Sequence, residues 1–165
     1  MTAAELKRLL KLEPHPREGG WFVQTWKAEE MMAQLPPRYS GPRAAGTAIY
    51  YLLEPESFSE MHRLQSDEVF HFYLGDPVEM LQLWPDGTGR TVVLGSDVAA
   101  GMLPQTVVPK SVWQGSRLAP GGKLALLGCT VSPGFDYADY ESGERETLTR
   151  GWPEWGDKIA ALTHR

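Results

Sequence analysis

Apolar residues recur at helical spacing only at the start of the chain, where Leu6, Leu9 and Leu10 follow Thr2 and Glu5. A threonine three residues before a glutamate is a capping box, so a helix is predicted there, and Pro14 and Pro16 end it. From Trp21 onwards the pattern shortens to runs of about six residues, rich in β-branched and aromatic side chains and separated by Gly, Pro and Asp. Strands are expected over residues 21–27, 44–53, 58–64, 68–74, 78–84, 90–94, 105–109, 112–118 and 123–131. Residues 29–43 read as a loop with one short helical turn. Pro85-Asp86-Gly87 marks a hairpin, and Ala119-Pro120-Gly121-Gly122 joins the last two strands. The acidic and aromatic stretch from Phe135 to Glu141 is expected to cover the strands from outside, with a short helix over 152–162 closing against it. No repeat or linker divides residues 1–165, and short strands at close intervals predict a sandwich or barrel rather than alternating strands and helices.

Composition changes this picture little. Of 165 residues, 42% are hydrophobic, enough for one domain with a core, and 17 Gly with 13 Pro suit many turns. A net charge of -5 argues against a nucleic-acid partner, since phosphate recognition needs a basic surface. Cys129 is the single cysteine and lies in an apolar run, so it reads as a buried core thiol, with no disulfide and no multi-cysteine zinc site. No segment has the length of a membrane span or the apolar core of a secretory signal, so a cytoplasmic setting is expected.

The chemistry concentrates in Met61 to Gly75. Strand alternation directs His62 and Glu68 towards one interior, where the two could share a proton or hold an ion. The spacing of His62, Leu64, Glu68 and Gly75 is similar to the first motif of cupins, with Leu64 where a second histidine usually stands; Pro109, Ser111 and Gln114 occupy the second motif without its glycine and histidine. Four stretches in order, His15 to Trp21, Ser66 to Pro77, Val108 to Gln114 and Ser132 to Asp136, resemble the uncharacterised cupin family DUF985, or cupin 5. Arg17 departs from that family's usual run by insertion, and Ser111 stands where glycine is common.

The resemblance implies a mainly β, single-domain jelly-roll β-barrel with an N-terminal and a short C-terminal helix, a homodimer, and a small-molecule pocket inside the barrel. A tight transition-metal site is not expected, because leucine cannot coordinate and His62, Glu68 and Gln114 would hold at most a weak divalent ion. Without metal, a carboxylate bonded to the imidazole would make His62 a general base. Three functions are weighed: small-molecule binding, an epimerase similar to keto-sugar nucleotide epimerases with His62 as base and Tyr51 as acid, and a metal-dependent enzyme using His62, Glu68 and Gln114. Thr47, Ile49 and Tyr51 on one strand and Phe70 and Phe72 beside Glu68 would line the pocket, with Gln114 inward and Trp113 outward. Such walls suit a sugar-like or planar ligand. His71 is placed on the opposite face from Glu68, and His15 and His164 are expected in solvated or capping roles.

Overall fold

The computed structural model describes residues 1–164. Helix α1 (Ala3–Leu10) starts at the Thr2–Glu5 capping box, both reciprocal bonds being present, and stops where Lys11 turns left-handed. Leu6 then docks with Leu12 on Leu52 and Leu126. Thirteen strands follow: β1 (Glu13–Pro14), β2 (Trp21–Lys27), β3 (Met31–Met32), β4 (Arg43–Ala44), β5 (Thr47–Leu53), β6 (Phe58–Arg63), β7 (Asp67–Gly75), β8 (Val78–Leu83), β9 (Gly89–Leu94), β10 (Gln105–Val108), β11 (Trp113–Leu118), β12 (Ala125–Ser132) and β13 (Glu141–Ser142). Helices α2 (Arg145–Gly151) and α3 (Gly156–Ala161) end the chain.

Eleven of the strands form two antiparallel sheets facing each other as a jelly-roll sandwich, β1-β2-β5-β12-β7-β10 and β13-β6-β11-β8-β9, while β3 and β4 pair apart from them. The fold is mainly β, as the strand spacing predicts, though the hydrogen-bonded ladders of the two sheets stay separate among the described residues. Turn chemistry places the hairpins: Asp86 accepts from the Thr88 amide at 2.9 Å, and Gly87 takes a positive φ of 87° between β8 and β9. Ser111 also lies in left-handed backbone, φ 67°, which explains why glycine suits that position.

Depth along the strands decides where the site sits. Tyr51, Leu53, Phe70, Leu127, Met80 and Leu118 fill the space between the sheets at one end. At the other end the same strands present Thr47, Ile49, Glu68, Cys129 and Val131 to a cavity. A bulge in β6 matters here. Gln114 pairs with His62 and Ser116 with Ser59, so β6 spends one extra residue against β11, and Ser59 and His62 both reach the interior despite their odd separation.

Three sequence expectations need correction. Residues 29–43 are not plain loop, because β3 pairs with β4. The C-terminal helices do not close against residues 135–141. Leu148, Ile159 and Leu162 bury themselves on Met61, Leu81, Leu83 and Trp113, the outer face of the five-stranded sheet, whose apolar outward positions demand a cover. Residues 135–140 instead form a flap at the cavity, with Phe135 and Tyr137 on its wall and a short 3-10 turn at Tyr137–Asp139, before β13 joins the five-stranded sheet.

Candidate functional site

The cavity has a volume of about 250 Å3 and a mouth open to solvent. Two imidazoles and two carboxylates share its wall: His62 from β6, Glu68 from β7, and His15 and Glu18 from the loop between β1 and β2. Phe22, Ile49, Leu64, Val131, Phe135 and Tyr137 make the rest largely apolar.

His62 is buried, and its Nδ1 lies 2.7 Å from the backbone oxygen of Glu60, to which only a protonated nitrogen can donate. In the neutral ring this leaves Nε2 as the lone-pair nitrogen. The ring stacks on Tyr140, centroids 4.9 Å apart and planes 16° from parallel. Tyr140 is held in turn by donating to the Glu60 carboxylate at 2.8 Å, and Ser142 donates to the same oxygen at 2.6 Å. Burial pushes the Tyr140 phenol far above the usual tyrosine range, so it stays protonated.

Glu68 accepts from the Gln114 amide at 2.5 Å. Burial pushes its carboxyl up to about 7, while the neighbouring His62 acts in the opposite direction. It therefore changes charge near neutrality. The Cys129 thiol beside it is pushed up by burial and remains neutral.

The His15–Glu18 loop was not legible as a site. Gly19 and Gly20 take φ of 96° and 68°, and a Cβ on Gly19 would lie 2.3 Å from the Phe58 oxygen, so only glycines let the loop press onto β5 and β6. His15 Nδ1 accepts the amides of Arg17 at 3.3 Å and Glu18 at 2.9 Å. One ring thus serves both amides around the inserted Arg17, whose side chain leaves over the Tyr137 ring. His15 does cap a turn, but it is not solvated: its side chain is 4% exposed and rests on Phe22. Burial lowers its pKa. Glu18 accepts from Ser59 at 2.5 Å. The available signal was a charged residue set directly against a glycine pair.

The predicted residues divide. His62, Glu68 and Thr47 come together on the cavity wall, the Thr47 hydroxyl also accepting the Phe135 amide at 2.9 Å. Gln114 sits behind Glu68 and faces inward, with Trp113 packed outside as expected. Tyr51, Phe70 and Phe72 do not line the cavity. They lie deeper between the sheets, and the Tyr51 hydroxyl donates to the Gly19 oxygen at 2.8 Å, which makes it a strut for the loop rather than an acid. Tyr51→Phe is accordingly expected to cost about 1 kcal/mol in chemical denaturation and to leave ligand affinity unchanged. Nor is His62 hydrogen-bonded to Glu68: the tautomer is set by the Glu60 carbonyl instead. His71 lies on the outer face, bonded to Thr130, and His164 is exposed near Glu60.

A family model described as Cupin superfamily (DUF985) matches residues 4–143. The chain belongs to this cupin family. A solved structure of a hypothetical protein from Leishmania major is similar over 100% of both chains, with 32% identity and a TM-score of 0.90. Protein SO0799 from Shewanella oneidensis is 34% identical, with a TM-score of 0.87 over 99% of this chain and 98% of that one. The uncharacterised yeast protein YML079W is 30% identical over 88% of this chain and 79% of its own length. Oxalate decarboxylase from Bacillus subtilis shares the fold at 12% identity and a TM-score of 0.57, this chain spanning 37% of that one.

The donor set of this cupin does not fit a transition metal. Among the described residues no three His, Cys, Asp or Glu side chains come together closely enough to hold a metal ion. Leu64 lines the cavity where a second histidine would stand, and Gln114 turns its amide hydrogens to Glu68 rather than an oxygen to the cavity.

Proposed function

We propose that this DUF985 cupin binds a small, uncharged carbonyl or polyhydroxyl compound in the cavity and moves a proton on it, as an isomerase does. The observation that carries this reading is the Nδ1 contact of His62 with the Glu60 oxygen, which commits the cavity-side Nε2 to accepting protons. In the proposed step the C–H bond next to a carbonyl breaks, its proton passes to Nε2, and the electron pair moves onto the carbonyl oxygen as an enediolate. Return of the proton to the former carbonyl carbon, with the neighbouring hydroxyl passing its own proton to the former carbonyl oxygen and becoming the new carbonyl, completes an isomerisation; return to the same carbon gives exchange with solvent. Ionised Glu68, on the same wall, stabilises the imidazolium formed on His62.

Charge and size narrow the ligand. The wall carries Glu18 and Glu68 with no Lys or Arg among its described residues, so a carboxylate or phosphate inside would meet only like charge. At about 250 Å3 the cavity is below the roughly 300–1,000 Å3 of most drug-sized ligand sites. A keto sugar or hydroxyketone suits it better than a nucleotide-linked sugar.

The test is proton NMR of neutral ketoses and hydroxyketones in heavy water. The expected result is loss of the signal next to the carbonyl, slowed about a hundredfold or more in His62→Asn. That variant retains an N–H at the Nδ1 position for the Glu60 carbonyl and removes only the base. Thermal stabilisation by a ligand that never exchanges would leave a binding protein instead. Equal exchange in wild type and His62→Asn would sink the base assignment.

A further inference from the structure

We propose that His15 is a second ligand-contacting residue, the hydrogen-bond donor that recognises the ligand's carbonyl oxygen from the cavity wall. The inference deepens the proton-transfer reading and rests on it for the identity of the oxygen.

Its basis is the tautomer the loop imposes. A backbone amide can only donate, so a nitrogen that accepts two amides has no proton of its own; this holds for His15 Nδ1 with the Arg17 and Glu18 amides. The ring is therefore neutral and its single proton is on Nε2. Nε2 has no hydrogen-bond partner among the described residues, the Glu18 Oε2 standing 3.7 Å away, beyond hydrogen-bond reach. Yet the side chain is 4% exposed and lines the cavity. The free N–H therefore opens onto the cavity, where a ligand oxygen can accept it.

The two histidines thus have opposite polarity. His62 comes from the five-stranded sheet with Nε2 accepting, whereas His15 packs on Phe22 of the six-stranded sheet with Nε2 donating. A carbonyl compound bound between them would give its carbon-bound proton to His62 and rest its oxygen on His15. As the electron pair shifts, the oxygen gains negative charge and the His15 hydrogen bond strengthens, the requirement for transition-state stabilisation. His15 keeps its proton throughout, so the step remains balanced by His62 alone. A neutral imidazole suits this role because it adds no fixed cation that would favour a carboxylate over the uncharged ligand.

Histidine offers an unusually clean test, since asparagine places its oxygen near the Nδ1 position without reaching Nε2. His15→Asn should keep the cap on the Arg17 and Glu18 amides and lose only the cavity donor. Dihydroxyacetone is the neutral probe and hydroxypyruvate its carboxylate-bearing counterpart. Nitrogen-15 NMR of histidine-labelled protein at neutral pH should show His15 protonated at Nε2 alone, with that signal shifted by dihydroxyacetone and not by hydroxypyruvate. His15→Asn should weaken dihydroxyacetone binding about tenfold, while the melting temperature stays within a few degrees of wild type.

Protonation of His15 at Nδ1, or no response of its Nε2 to dihydroxyacetone at the solubility limit, would overturn the proposal. The two readings fail separately. A shifted His15 with no deuterium entering the probe keeps the donor and discards proton transfer. Exchange that depends on His62 but is indifferent to His15→Asn, with a silent Nε2, does the reverse.

Discussion

Glu68→Gln should make the protein more stable than the natural chain in mildly alkaline solution, although it removes a residue of the site. The folded carboxyl is pushed from the ordinary 4.5 up to about 7 by burial. Between those values the folded protein keeps a proton that the unfolded chain has released, so stability is fully present below 4.5 and is lost as pH rises through about 7. Integrated over that window, the loss is roughly 3 kcal/mol for a fully buried group, or about 6–12 °C in melting temperature for a chain of this size. Glutamine can still accept from Gln114 and has no charge to release. His15 contributes the opposite slope: its pKa is lowered by burial, so its stabilisation is present above the ordinary 6.5 and is lost as pH falls through its folded value. The two slopes oppose each other where their windows overlap, so the natural chain should show a net loss of stability towards alkaline pH, and Glu68→Gln should keep only the rise that His15 contributes. Denaturant titrations across pH would show it. Parallel profiles in the two proteins would mean that Glu68 ionises as an ordinary surface carboxylate.

The second large effect concerns the flap. Arg43 donates to both oxygens of Asp139, Nε and a terminal nitrogen each at 2.7 Å, and both residues are about 5% exposed. Arg43 also donates to the oxygens of Gly41 and Pro42, so its guanidinium is fixed from both sides. Asp139→Ala leaves that cation buried and unpaired, which costs about 3–5 kcal/mol. The damage should be local as well as global, because Asp139 lies in the turn that carries Tyr140 onto His62. Hydrogen exchange is expected to accelerate first over residues 135–142. The double variant with Arg43→Met should recover part of the loss, since it removes the orphaned charge. A change below about 1 kcal/mol with a fully protected flap would show that the pair is a bystander.

Much of this architecture was legible in the sequence because local rules and global packing agree. The Thr2–Glu5 box, the Pro85-Asp86-Gly87 turn and the alternation along β7 each specify an element within a residue or two, and β5 starts three residues later than expected. Alternation also placed His62 and Glu68 in one interior. It failed on depth: Glu68, Phe70 and Phe72 share a side of β7, but only the first reaches the cavity, because alternation states which face a residue takes and not how far along the sandwich it lies. Thr47, Ile49 and Tyr51 repeat the lesson on β5. The partner of His62 was misread for a different reason. The bulge in β6 is invisible to a period-two pattern, and the imidazole is tied to a backbone oxygen that has no signature in residue type. His15 and Glu18 escaped because prolines and glycines around them signal a turn, while their burial depends on strands far along the chain.

Glu60 has a consequence beyond its own contacts. Its amide donates to the Glu18 oxygen at 2.8 Å, its carbonyl holds His62, and its carboxylate holds Tyr140 and Ser142. One residue is therefore the hinge pin shared by the His15–Glu18 loop, His62 and the flap. A shift of any of the three bears directly on Glu60, with no chain of intermediate side chains between them.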